Sequence, residues 1–202
     1  MNAVKFPCVV LAGGQSRRMG GIDKFNQVLA GRTLLQHILE RLQPQVGEII
    51  LNANIPMDGQ SFRVIADIEK GQLGPLAGIL SGLSYFMPTK GEATHMVVCP
   101  CDVPFIPLDF VDQLSEVLRG EEDEIVMASS KGRLHPVVSL WPFSVLEDLH
   151  RALLGEDIRK IRVFAKRYNL KEVEWTDEED PFFNVNIPED LTLAEARARL
   201  LV

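Results

Sequence analysis

Short apolar runs that stop at a polar residue, each followed by a helical pattern, constrain this chain more than any other feature. Runs at about 5–11, from Glu48 to Leu51, from Phe62 to Ala66 and from Met96 to Cys99 end ahead of Gly13, Asn52, Asp67 and Asp102. Apolar runs of this length read as strands buried on both faces, and strands that alternate with helices specify a mostly parallel sheet. Between them, Leu34, Leu35, Ile38, Leu39 and Leu42 recur at helical spacing in a helix near 33–43. A second helix opens at Gly74-Pro75-Leu76-Ala77-Gly78, with proline in the first turn, where its missing N–H is no loss. The expected fold is therefore α/β: a three-layer α/β/α, Rossmann-like domain with its ligands at the carboxyl edge of the strands.

The second half continues the pattern. A helix is expected near 108–118, followed by strands at 125–129 and 135–141 that can pair antiparallel through the turn at Lys131-Gly132-Arg133. Helices near 143–153 and 158–168 precede a short edge strand from Glu172 to Trp175. Phe182-Phe183-Asn184-Val185-Asn186 then leads into a last helix from Pro188, whose first turn carries Glu189 and Asp190, as the helix dipole favours. The acidic clusters from Glu121 to Glu124 and from Asp177 to Asp180 read as solvated loops. No repeat, low-complexity tract or linker interrupts the chain, so one domain over 1–202 is expected.

The first strand opens into Leu11-Ala12-Gly13-Gly14-Gln15-Ser16-Arg17-Arg18-Met19-Gly20-Gly21-Ile22-Asp23-Lys24, a loop suited to phosphate. Gly13 and Gly14 let backbone N–H groups come close to a ligand, and Arg17, Arg18 and Lys24 supply positive charge. The spacing is neither that of a Walker A loop nor that of a dinucleotide fingerprint. Overall, 21 Lys and Arg face 28 Asp and Glu, a net charge of −7. A basic pocket on an acidic body points to a small anionic ligand, and argues against nucleic acid or an anionic membrane. Cys8, Cys99 and Cys101 lie in apolar runs and read as buried thiols, since Cys99-Pro-Cys101 lacks the spacing of a redox or zinc pair. A reducing cytoplasm fits them, and neither a targeting signal nor an apolar run of membrane-spanning length is visible.

Asp102, in Cys-Pro-Cys-Asp-Val-Pro, ends a central strand. A carboxylate there can hold Mg²⁺ beside nucleotide phosphates, or it can serve a turn or helix cap ahead of Pro104 and Pro107. Asn52 and Asp67 end neighbouring strands, where they suit a base or ribose edge or simply form turns. Ser16 has no nucleophile elbow around it and no His–Asp arrangement to activate it. Positioning and charge neutralisation at phosphate are the chemistry that remains.

The glycine-rich stretch resembles the signature LAGGxSxRMGxxDK of nucleotidyltransferases that act on molybdopterin, and every fixed position from Leu11 through Lys24 is present. The looser sugar-nucleotide pyrophosphorylases share only part of it. Resemblance to the molybdenum cofactor guanylyltransferases implies a nucleotide-diphospho-sugar-transferase-like fold, with GTP and Mg²⁺ on 1–105 and molybdopterin on 106–202. It implies GTP contacts at Leu11, Ala12, Gly13, Lys24, Asn52, Asp67 and Asp102, catalytic roles for Arg18, Lys24 and Asp102, and Mg²⁺ on Asp102. Arg133-Leu134-His135-Pro136 resembles the family's R-x-H-P element, and the segment from Asn184 to Leu191 resembles N-V-N-T-P-E-D-L, with Ile187 in place of Thr. These imply molybdopterin contacts at His135, Asn184 and Asn186. On spacing alone His135 equally suits a partly buried structural histidine, and the asparagine pair, at i and i+2 of a strand end, equally suits turn and cap chemistry.

The reaction implied is transfer of GMP from GTP to the terminal phosphate of molybdopterin or Mo-molybdopterin, with release of pyrophosphate. Leu-Ala-Gly-Gly matches the guanylyl branch, whereas the cytidylyl branch more typically has Leu-Ala-Ala-Gly. The alternatives are a molybdopterin cytidylyltransferase, a sugar-phosphate nucleotidyltransferase, or a non-catalytic nucleotide-binding adaptor. A cytoplasmic monomer is expected, and carrier proteins of the cofactor pathway are admitted as partners.

Overall fold

Alternate residues along the strands enter two different cores, which makes the molecule three layers deep. Cys8 and Val10 of β1 (Cys8–Leu11) join one core, while Val9 and Leu11 join the other. The same division holds for β4 (Ile49–Asn52), β6 (His95–Pro100) and β7 (Glu124–Ser130). Helices α1 (Leu34–Leu42) and α3 (Phe110–Glu116) cover the first face, and α2 (Pro75–Phe86), α4 (Leu146–Leu154) and α5 (Ile161–Ala165) cover the second. The computed structural model describes residues 5–13, 24–57, 59, 61–69, 71, 73–120 and 123–200. Among them, no helix is long and apolar enough to cross a membrane.

With β5 (Arg63–Ile65), β8 (Arg133–Pro142) and β9 (Asn169–Trp175), the central sheet has seven strands in the order β5-β4-β1-β6-β8-β7-β9. Only β8 runs against its neighbours, pairing antiparallel with β6 and β7. The expected α/β fold with a mostly parallel sheet is thus present, and so is the expected antiparallel pair. Chain order runs outward from β1 to β4 and β5, then returns to place β6 on the other side of β1. That reversal is a topological switch point, and it leaves a crevice beyond the carboxyl ends of β1 and β6.

Several elements depart from expectation. Glu124, expected in a solvated acidic loop, is fully buried at the start of β7, where its carboxylate pairs with Lys171 and accepts the Arg119 N–H at 2.7 Å. The helix expected near 158–168 is only Ile161–Ala165, because Asp157 takes φ +54° after α4 and Asn169 already bonds to the Asp123 carbonyl as β9 begins. A hairpin of β2 (Val28–Leu29) and β3 (Arg32–Thr33) is additional. Its turn puts Ala30 at φ +49° beside Gly31 at +81°, where asparagine and glycine are the usual signal. The Glu195 carboxylate of α6 (Pro188–Ala198) accepts the Ala30 N–H at 2.8 Å and helps hold this unfavourable turn. Leu29 and Leu34 then bury against Ala194 and Ala198 of α6, with Phe105 and Val185.

All three cysteines are free and buried, as expected. Burial pushes the Cys8 and Cys99 thiols well above their ordinary value, and burial beside Asp102 pushes Cys101 up to about 12.

Candidate active site

The sheet brings the carboxyl ends of β1, β4, β5 and β6 to one edge because these four strands are mutually parallel. Leu11, Ala12 and Gly13 leave β1 there, and Pro100, Cys101 and Asp102 leave β6 beside them. Together with Lys24, Pro75 and Val137 they line a cleft of about 190 Å³. The Ala12 N–H donates to the Asn52 carbonyl at 2.9 Å and the Cys101 N–H to the Leu11 carbonyl at 3.1 Å, which ties the three strand exits together. A second cavity, of about 260 Å³, lies among Arg41, Phe105, Arg197 and the acidic run from Asp177 to Glu179. It is larger, but three carboxylates on its rim oppose a polyphosphate and it lies away from the switch point.

Asp102 is the hub of the cleft. Lys24 Nζ donates to its Oδ2 at 2.7 Å, and Asn184 Nδ2 donates to its Oδ1 at 3.0 Å. Lys24 Nζ also donates to Asn186 Oδ1. The backbone reinforces this convergence, since the Val185 N–H donates to the Asp102 carbonyl at 2.9 Å. Asp102 therefore forms no helix cap, and its carboxylate stands between the N-terminal loop and the segment before α6. That segment is irregular, not the end of a strand, yet Asn184 reaches Asp102 directly and Asn186 meets the Lys24 that is paired with it. Just beyond them, Asp190 Oδ2 accepts the N–H groups of Asn186 and Ile187 at 2.8 and 3.0 Å. With Ile187 at the head of the helix, no side-chain hydroxyl is available for the forward cap, so Asp190 supplies the reciprocal half of a capping box.

Asn52 and Asp67 are also brought together. Asn52 Nδ2 donates to Asp67 Oδ1 at 3.0 Å, and Asn54, not anticipated from sequence, grips Asp67 from both sides. Asn54 Nδ2 donates to Asp67 Oδ2 at 2.7 Å, and Asn54 Oδ1 accepts the Asp67 N–H at 2.8 Å. Helix α2 presses closely against this group. A Cβ added at Gly78 would lie 2.4 Å from Asn52 Oδ1 and 2.7 Å from Leu11 Cδ2. One turn later, a Cβ at Gly82 would lie 2.9 Å from both Met96 Sδ and Val9 Cβ. The legible signal is a pair of glycines four apart on an otherwise apolar helix. Gly74, at φ +75°, turns the chain into α2 and leaves Pro75 in the cleft wall.

Val137 was not foreseen, and an irregularity of β8 puts it in the cleft. Pairing with β7 runs Val126 with Leu140 and Met127 with Ser139, then jumps to Ala128 with His135. Pro136, Val137 and Val138 are thereby left out of that register. β8 also stops pairing with β6 at Val98 and Ser139, one strand end short of Asp102. Bulges of this kind re-aim side chains beside active sites. Ser139 clips this one, its hydroxyl donating to the Pro136 carbonyl at 3.0 Å and accepting the Trp141 indole N–H at 2.8 Å.

His135 is 5 % exposed and outside the cleft lining, with Nε2 at 2.8 Å from Ser130 Oγ and its ring 5.1 Å from that of Phe182. Burial holds its imidazole below the usual histidine range. Arg18 lies outside the described residues, as do Arg17, Ser16 and Gly14.

Comparison with known proteins gives the family. Residues 8–172 match the model of the MobA-like NTP transferase domain. The molybdenum cofactor guanylyltransferase of Rhodopseudomonas palustris (strain BisB5) is 46% identical over 193 residues, covering 94% of this chain and 92% of that protein. Its counterpart from Bradyrhizobium sp. (strain ORS 278) is 43% identical, covering 96% of this chain and 93% of the relative. Among solved structures, the molybdopterin-guanine dinucleotide biosynthesis protein A of Archaeoglobus fulgidus superposes with a TM-score of 0.75 at 26% identity, covering 96% of this chain and all of its own. The 4-diphosphocytidyl-2C-methyl-D-erythritol synthase of Anaerococcus prevotii shares the fold, with a TM-score of 0.73 at 16% identity and coverage of 98% and 100% of the two chains. Matched in sequence along most of its length, and with its strand exits gathered at a switch-point cleft, this chain is a nucleotidyltransferase that belongs to the MobA-like NTP transferase family.

Proposed function

We propose that this protein transfers GMP from GTP to the terminal phosphate of molybdopterin, forming molybdopterin guanine dinucleotide and releasing pyrophosphate. One observation carries the reading: the two carboxylate oxygens of Asp102 are shared between Lys24 of the N-terminal loop and Asn184 of the C-terminal segment. A single group at the switch point thus joins the two halves of the site. Residues 1–105 seat the nucleotide and 106–202 the pterin, within one domain whose sheet draws strands from both parts. The relatives' names support guanine over cytosine, and Leu-Ala-Gly-Gly agrees with them.

The chemistry follows from charge. An oxygen of the pterin phosphate attacks the α-phosphorus of GTP, and the bond from that phosphorus to the β-phosphate oxygen breaks, releasing pyrophosphate. A phosphate monoester has a second pKa of about 6, so the nucleophile is already anionic near neutrality and needs no general base. Lys24 Nζ is tied to Asp102 and Asn186, and both bonds can be exchanged for phosphate oxygens as the triphosphate enters. Leu11 to Gly13 would lie along the base, with Asn52 and Asp67 holding the nucleoside and Arg18 adding charge to the leaving group. Asp102 suits Mg²⁺ as a hard carboxylate beside a phosphate site, because Mg²⁺ is usually held by one or two carboxylates with the rest of its shell from phosphate and water. Held by Asp102, Mg²⁺ would supply neutralisation of the charge that develops on the phosphates.

The test is pyrophosphate release with each of the four nucleoside triphosphates, with and without molybdopterin and Mg²⁺. GTP with molybdopterin and Mg²⁺ is expected to support turnover well above every other combination. Preference for CTP, or for a sugar phosphate in place of molybdopterin, would overturn the substrate assignment. Binding of GTP without any pyrophosphate release would make the protein an adaptor.

A further inference from the structure

Residues 176–187 join β9 to α6 without helix or sheet bonding, yet they carry Asn184 to Asp102 and Asn186 to Lys24. A segment with no ladder of its own keeps one geometry only where other groups satisfy and anchor its backbone. Arg197 Nη1 donates to the Asp180 carbonyl at 2.5 Å, and three acidic residues take N–H groups of the segment. Asp102 takes the Val185 N–H, Asp190 takes those of Asn186 and Ile187, and Asp180 Oδ1 takes the Phe182 N–H at 2.9 Å. The third anchor is itself held, because Ser130 Oγ donates to the same Asp180 oxygen at 2.6 Å and His135 Nε2 lies 2.8 Å from Ser130 Oγ.

The hydrogen-bond chemistry gives this chain of contacts one direction. An ionised carboxylate only accepts, so the single Ser130 proton goes to Asp180. Ser130 Oγ can then only accept from His135, which fixes the imidazole as the Nε2–H tautomer. Ser130 is the last residue of β7 and His135 stands just past the turn into β8, so the tip of this hairpin grips the segment. Phe182 completes the attachment: fully buried, it meets Trp175 edge to face at 4.9 Å and packs against the His135 ring.

We propose that Ser130, His135 and Asp180 are positioning residues for the second substrate, acting through the Phe182 backbone to set where Asn184 and Asn186 stand. None of the three touches the reacting atoms. The inference rests on the proposed reading that these two asparagines face molybdopterin.

Steady-state kinetics with each substrate varied while the other saturates separates the possibilities. Ser130→Ala and Asp180→Ala are expected to raise the KM for molybdopterin about tenfold, the scale of one lost hydrogen bond to a charged group. The KM for GTP should stay within about twofold, since Asn52, Asp67 and the Lys24–Asp102 ion pair lie outside the displaced segment. Asp180→Asn retains the accepting oxygen and should restore the KM for molybdopterin to within about threefold of the parent, a rescue that loss of folding cannot mimic. Should Asp180→Ala fail to fold, Ser130→Ala carries the test by the same split. An unchanged KM for molybdopterin, or an equal rise in both KM values, overturns the inference. Asn184→Ala tells the two failures apart: if it raises the KM for molybdopterin while the positioning variants do not, only the inference falls. If Asn184→Ala has no effect either, the placement of the pterin falls with it.

Discussion

Asp102→Ala should fold and yet lose turnover by about a hundred- to a thousandfold, the range seen when one group that stabilises transition-state charge is removed. Folding survives because the backbone bond from Val185 to the residue 102 carbonyl needs no side chain. Lys24, left without its carboxylate, is a quarter exposed, so water can take over its solvation. The lost ion pair and the lost bond from Asn184 together cost about 1–3 kcal/mol, a few degrees in melting temperature for a chain of this size. The catalytic loss is larger because Asp102 meets both halves of the site at once. Circular dichroism melting and a pyrophosphate-release assay on the same preparation check both parts. Turnover within about threefold of the parent would remove Asp102 from the mechanism.

Gly78→Ala should raise the KM for GTP by about tenfold or more while changing stability little. The added methyl would lie 2.4 Å from Asn52 Oδ1, so either the helix backs away or Asn52 rotates. Both movements disturb the bond from Asn52 to Asp67 that shapes the nucleoside end of the cleft. Overpacking of this kind costs about 1–3 kcal/mol, but replacing glycine by alanine within a helix returns about 1 kcal/mol. Net destabilisation is therefore modest, and the damage shows in binding. Gly82→Ala is the matched comparison, since its methyl meets Met96 and Val9 and no nucleotide-site residue. It should cost similar stability with an unchanged KM for GTP. Equal KM effects from the two variants would mean that α2 acts on the site as a rigid whole, without the particular contact at Asn52.

What could be read from sequence and what could not divide along a physical line. Strands β1, β4 and β6 are legible because each is an apolar run buried on both faces and stopped by a polar residue, so position in sequence gives position at the sheet edge. Leu11, Asn52 and Asp102 come together for that reason alone. The β2–β3 hairpin was not legible, because its turn uses Ala30 in a conformation that a Glu195 contact from 165 residues away helps to hold. The bulge that delivers Val137 was hidden for a similar reason: nothing local in Pro136-Val137-Val138 announces that β8 parts from β6 there. From their spacing, Asn184 and Asn186 read as the end of a strand. The segment is irregular, and their convergence depends on anchors at Asp102, Asp180 and Asp190 that only the folded chain assembles.

The whole account turns on where a nucleoside triphosphate sits, and diffraction from crystals grown with GTP and Mg²⁺ measures that directly. The α-phosphate is predicted between Lys24 Nζ and Asp102, with the cation on the Asp102 carboxylate and the base beside Leu11 to Gly13. A triphosphate seated elsewhere, for instance against Arg41 and Arg197 in the neighbouring cavity, or an Asp102 still closed on Lys24 with the nucleotide bound, would contradict it.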